Sequence, residues 1–150
     1  MAKFEREVEI DASVDNTWLV LTDASHWPKW LPFMDSVTPT GPLSKGSVVG
    51  WADKDKAGTA TVTIYDQGKE FEIVTDLDGD KDRHNFTLRS SGGFFGLSDD
   101  EVKVEYKLDT LSGGGIIGRF LSAGNPRDMI RVKSTTTALR KLVEEQFSNN

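Results

Sequence analysis

Along residues 4–10 the apolar Phe4, Val8 and Ile10, with Arg6 in phase, alternate with Glu5, Glu7 and Glu9. A period of two fits a strand with one buried and one wet face. Ser13 then suits a helix cap, and Val14, Trp18 and Leu21 fall at i, i+4 and i+7, one inward stripe. Residues 23–25 interrupt that helix. Trp27 and Trp30 lie three apart on a second short helical turn, with Pro32 as its stop. From Met34 to Leu108 the pattern is one of strands punctuated by Gly41-Pro42, Lys45-Gly46, Gln67-Gly68 and Asp78-Gly79. Ala60, Val62 and Ile64 share one face of one strand. Phe71, Ile73, Thr75 and Leu77 share a face of the next, and His84, Phe86 and Leu88 of the one after it. Val102, Val104, Tyr106 and Leu108 alternate with Lys103, Glu105, Lys107 and Asp109, which makes this the last strand.

Asn125-Pro126 with Asp128 reads as a cap, a first-turn proline and a first-turn acid. Met129, Val132, Thr136, Leu139, Val143 and Phe147 then trace an inward stripe on a helix about 33 Å long. Residues 113–124, with Ile116, Ile117, Phe120 and Leu121, are a lid or an extension of that helix, broken or kinked at Gly124 and Pro126. The pattern is α+β: one strand, two short helices, six further strands and a long C-terminal helix. A curved antiparallel sheet closing around one long helix leaves a cavity, and cavities bind ligands.

Composition narrows the partners. The chain has 150 residues, room for one domain spanning 1–150 with a single core, and carries a formal charge of −6. Such a charge offers no general attraction to nucleic acid or anionic lipid. Cysteine is absent, which excludes disulfides, thiol nucleophiles and thiolate metal sites. The charged, alternating N-terminus is neither a signal peptide nor a membrane span, so a cytoplasmic protein without stable membrane insertion is expected.

The strand ending in Ile10-Asp11-Ala12-Ser13, the helix with Trp18, and Asp23 before Trp27-Pro28-Lys29-Trp30-Leu31-Pro32, then Gly41 and Gly46, resemble the start of the START-like (SRPBCC) superfamily. Specifically, they resemble its bacterial polyketide cyclase/dehydrase and lipid-transport branch. Leu139-Arg140-Lys141-Leu142-Val143-Glu144-Glu145 resembles the end of that family's long helix. The resemblance implies the helix-grip fold, a seven-stranded antiparallel sheet gripping the C-terminal helix. It says little about function, because members bind or transform many unrelated apolar molecules.

Several motifs are bland on inspection. Gly113-Gly114-Gly115-Ile116-Ile117-Gly118 matches a dinucleotide fingerprint but lacks the parallel strand-helix-strand setting that the fingerprint needs. Asp76, Asp78, Asp80 and Asp82 around Gly79 lack the spacing of a calcium loop and read as an acidic hairpin tip. His84 is placed inward with Phe86 and Leu88, whereas His26 sits among tryptophans on a surface turn. Two isolated histidines make no metal site, and no cofactor is called for. Arg6, Thr75, Tyr106 and Thr136 are the other polar groups expected to point inward. Trp18, Trp27 and Trp30 are expected to pack the corner between helices and sheet.

A carrier for a small hydrophobic molecule (a lipid, isoprenoid or aromatic metabolite) is therefore the leading expectation. Its cavity would be lined by Trp51, Ile64, Phe71, Ile73, His84, Phe86, Tyr106, Met129, Val132 and Thr136. The alternative is an enzyme similar to the polyketide aromatase/cyclases, with His84 or Tyr106 moving protons. A third is an interaction module or homodimer using Phe94-Phe95 and residues 113–124.

Overall fold

The alternation at the N-terminus becomes β1 (Ala2–Ile10), and the Ser13 hydroxyl accepts a hydrogen bond from the Asn16 N–H to start α1 (Val14–Leu21). In this computed structural model residues 2–91, 101–112 and 126–147 are described. The expected break after α1 is a single 3₁₀ turn (Ala24–His26) capped by the Asp23 side chain, which leads into α2 (Trp27–Trp30). Six strands follow: β2 (Ser36–Val37), β3 (Val48–Asp53), β4 (Lys56–Asp66), β5 (Glu70–Leu77), β6 (Asp80–Ser90) and β7 (Val102–Ser112). The last element is α3 (Pro126–Phe147). The Phe94-Phe95 pair, the glycine-rich run and the 113–124 segment lie outside the described residues.

All neighbours in the sheet are antiparallel, in the order β1-β7-β6-β5-β4-β3-β2. Strands β2 to β7 form a meander, and β1 closes onto the outer edge of β7. Asp78 and Gly79, with φ of +56° and +89°, make the two-residue hairpin between β5 and β6, a turn that needs positive φ at both positions. The core lies between one face of this curved sheet and α3, with α1 and α2 closing one side. Trp18, Trp27 and Trp30 are all buried there, as expected of corner packing. Arg6 ties β1 to α3: its Nη1 donates to Thr136 Oγ1 at 3.0 Å and to the Lys133 carbonyl at 3.1 Å.

Two expected orientations are corrected. The register slips between Val62 and Ile64, so Tyr65 stands opposite Phe71 and Ile64 opposite Glu72. A bulge of one residue turns every later side chain to the other face, which places Tyr65 inward and Ile64 outward. Met129 is 53 % exposed, and the buried stripe of α3 runs instead through Asp128, Val132, Thr135, Thr136, Leu139 and Val143. Met129 and Thr136 lie on nearly the same helical face, yet burial needs something opposite. Arg6 covers Thr136, whereas a groove lies beside Met129.

The β3/β4 pair contains a close approach that only glycine tolerates. Gly58 sits opposite Trp51, and a Cβ there would lie 2.6 Å from the Asp76 carbonyl oxygen and 2.9 Å from the indole. Because the backbone contact cannot yield cheaply, Gly58→Ala is expected to cost about 1–3 kcal/mol. A lowered urea midpoint at unchanged slope would register it.

Candidate functional site

Three adjacent strands bring Thr75 (β5), His84 (β6) and Tyr106 (β7) onto the inner face, because period two and the register leave them as diagonal neighbours. All three are at most 3 % exposed. The Tyr106 hydroxyl lies 2.6 Å from His84 Nδ1, and His84 Nε2 lies 3.0 Å from Thr75 Oγ1. Thr75 Oγ1 in turn reaches the Asp82 carbonyl at 3.5 Å. One assignment satisfies every group: Tyr106 O–H donates to Nδ1, Nε2–H donates to Thr75, and the Thr75 hydroxyl donates to the carbonyl. The reverse order would leave the phenol hydrogen without an acceptor in an apolar site. Burial, seconded by the positive charge of Arg131, holds His84 well below the usual histidine value, so the ring is neutral at neutral pH. Burial pushes the Tyr106 phenol above its usual range.

Aromatic rings frame this chain. Tyr106 stacks on Phe86 at 4.6 Å, Trp30 meets Phe86 edge-on at 5.4 Å, and Phe33 stacks on His84 at 5.1 Å. Phe33 also meets Trp51 edge-on. Above Phe33 stands Arg131 of α3, its guanidinium 5.1 Å from the ring centre. Asp82 and Asp128 hold that guanidinium at 3.1 and 3.2 Å. Burial pushes the Asp82 carboxyl above its ordinary value even though Arg131 pulls it down. For Arg131, burial lowers the pKa, but Asp82, Tyr106 and Asp128 outweigh it, and the group stays charged. An ion pair between α3 and β6 thus overlies a neutral, hydrogen-bonded interior.

Of the residues expected to line a cavity, Trp51, Phe71, Ile73, His84, Phe86, Tyr106, Val132 and Thr136 are buried between sheet and helix. Thr136 is occupied locally, donating to the Val132 carbonyl at 3.0 Å while accepting from Arg6. Sequence reasoning missed Phe33 and Arg131, and left Asp82 on a hairpin tip. Period two along β6 places Asp82 in phase with His84 and could have signalled it. Nothing local marks Arg131, which falls one position off the apolar stripe. Among the described residues no cluster of three or more His, Cys, Asp or Glu is placed to hold a metal ion, and no helix is long and apolar enough to cross a membrane.

With the His84–Tyr106 pair as the buried end of a chain, Tyr106→Phe leaves Nδ1 without its donor. We expect a loss of about 1–3 kcal/mol in chemical denaturation. A long-range ¹H–¹⁵N spectrum of the unmutated protein should find the His84 proton on Nε2; a proton on Nδ1 would contradict the assignment.

Seven antiparallel strands wrapped on a C-terminal helix, enclosing aromatic rings and a few polar groups, define a helix-grip domain of the START-like class. The chain belongs to the polyketide cyclase / dehydrase and lipid transport family, which it matches over residues 1–144. Similar solved structures include a START superfamily protein from Mycobacterium smegmatis, at 16 % identity and a TM-score of 0.69, covering 97 % of this chain and 99 % of that one. The protein MLL2253 from Mesorhizobium loti has a TM-score of 0.70 at 12 % identity, covering 99 % of both chains. DynU16, from the dynemicin biosynthetic locus, has a TM-score of 0.66 at 13 % identity; 98 % of this chain aligns but spans only 49 % of DynU16. At these identities the likeness is one of fold. No curated protein sequence matches the chain.

Proposed function

We propose that this protein binds a small hydrophobic molecule, a lipid, isoprenoid or flat aromatic metabolite, between the inner face of the sheet and α3. The observation that carries the reading is the Tyr106–His84–Thr75 chain, a short polar line crossing an otherwise apolar and aromatic face. Ligand sites divide labour in this way, with apolar area driving binding at roughly 25 cal/mol per Å² and few polar groups setting orientation. Membership of a family described by lipid transport and polyketide chemistry supports the same class of ligand.

The aromatase/cyclase-like alternative would use the same pair, since a phenol 2.6 Å from an imidazole is a plausible proton-transfer couple. Both ring nitrogens of His84 are already engaged by protein groups, which leaves no free lone pair to accept a substrate proton. Binding is the better-supported role. Protein purified natively should release a stoichiometric apolar compound on solvent extraction, identified by mass spectrometry. The reading fails if nothing is released and if native mass spectrometry finds no 1:1 complex with palmitate, farnesol or anthracene.

A further inference from the structure

At the opposite end of α3 from Arg131 lies a cavity of about 440 Å³, where α1 and the 3₁₀ turn meet the last turn of the helix. Arg131 and Gln146 are fifteen positions apart, about 22 Å of helix. Tyr65, in its wall, pairs with Phe71 at one end of β5, whereas the His84 chain sits at the Thr75 end. The two places are therefore distinct. Tyr65 and Phe147 supply apolar wall, and Leu19, 59 % exposed on α1, stands at the rim. The polar edge is Asp23, His26 and Gln146.

His26 differs from His84 in being poorly partnered. Its Nδ1 is buried 3.3 Å from Asp23 Oδ2, close enough for charge attraction but without hydrogen-bond alignment. Among the described residues its Nε2 has one partner, the exposed Gln146 amide nitrogen at 3.3 Å, a long hydrogen bond from a surface side chain that a ligand hydroxyl can displace. Asp23 is fixed, because its Oδ1 accepts from the Ser25 N–H at 3.0 Å and from the Ser25 hydroxyl at 2.7 Å. A fixed carboxylate beside Nδ1 favours the proton there and leaves the Nε2 lone pair as an acceptor. No lysine or arginine lines the cavity among the described residues, so nothing there would compensate an anionic ligand. A volume of this size lies within the range of small-molecule sites.

We propose that this cavity is a second binding site, taking a neutral, flat, largely apolar molecule that donates a hydroxyl hydrogen bond to His26 Nε2. The site goes beyond the ligand reading above and shares none of its residues. The test is a titration of 2-naphthol into the ¹⁵N-labelled full chain, with naphthalene as the probe that lacks the hydroxyl. Saturable shifts at the amides of residues 19–26, 40, 41, 43 and 146–147 are expected, with naphthalene about tenfold weaker, the value of one good hydrogen bond near 1.4 kcal/mol. His26→Phe should abolish that difference while retaining naphthalene. Gly41 lines the cavity, and a Cβ there meets nothing within 4 Å, so Gly41→Trp starts from an unobstructed position and its indole is expected to occlude the cavity. Binding should drop at least tenfold in that variant at an unchanged melting temperature. Shifts confined to the His84 face, no saturable shifts, equal affinity for the two probes, or indifference to Gly41→Trp would each overturn the proposal. Amide shifts around Thr75, His84 and Tyr106 report the site between sheet and α3, and those around His26 and Gln146 report this one, so the two readings fail separately.

Discussion

Between pH 6.5 and pH 5 the protein is expected to lose stability by up to about 1.4 kcal/mol per pH unit, and His84→Gln is expected to flatten most of that slope. His84 is buried neutral, with its folded pKa depressed well below the unfolded value near 6.5. As pH falls through 6.5 the unfolded chain takes up a proton at this site that the folded chain refuses. Folding then costs more with each step in acid, until the folded-state pKa is passed. Above pH 6.5 the ring is neutral in both states and contributes no slope. Glutamine can replace the Nε2–H donor toward Thr75 but cannot titrate, so the comparison isolates the imidazole. Urea denaturation of both proteins at half-unit intervals from pH 7.5 to 5 would decide it. Parallel slopes in the two proteins would mean that His84 is protonated in the fold, and that the Tyr106–His84–Thr75 assignment is wrong.

Arg131→Met should cost about 3–5 kcal/mol at pH 7, less whatever solvent screening its partly exposed position supplies. The methionine keeps most of the packing over Phe33 but leaves Asp82 and Asp128 facing each other without a cation. An unpaired carboxylate in a low-dielectric site is penalised far more than a pair that was never built. The double variant Asp82→Asn/Arg131→Met should therefore recover a substantial part of the loss. The pH dependence contributed by the cluster should also steepen without changing sign. In the wild type Asp82 already has a raised folded pKa, so its burial weighs against folding once pH rises above the unfolded value near 3.8. Without Arg131 that pKa rises further, so acid should relieve the Asp82 penalty more in the Arg131→Met variant than in the parent. A double-mutant cycle with no coupling between Asp82 and Arg131 would refute the account. Because Arg131 also depresses the His84 pKa, the same substitution should weaken the histidine slope, a second check on one variant.

The sheet was legible because β1, β5, β6 and β7 each bury one face, and a half-buried strand must alternate. The break after α1, the Trp27–Trp30 turn and the extent of α3 were equally plain, since caps, prolines and apolar spacing act within a few residues. Ile64 was misplaced because a bulge leaves no mark on periodicity: Thr63 and Tyr65 are as acceptable in a strand as the residues around them. Met129 was misplaced because a helical face is buried only where another element covers it.

The candidate site divides along the same line. Thr75, His84 and Tyr106 could be assigned inward from alternation alone, but their joining into one hydrogen-bonded chain depends on the registers of β5 on β6 and β6 on β7. Phe33 and Arg131 reach His84 from a loop and from a helix nearly fifty residues downstream, and no local pattern encodes that meeting. The cavity beside His26 is likewise built from four separate stretches of chain. What the amino-acid order determined by itself was element type, element sequence and the inward set of side chains, because these rest on short-range sterics and solvent partition. What the tertiary structure alone decided was which buried polar groups meet, which charges neutralise one another and where empty space remains, because those depend on distances between segments that are remote along the chain.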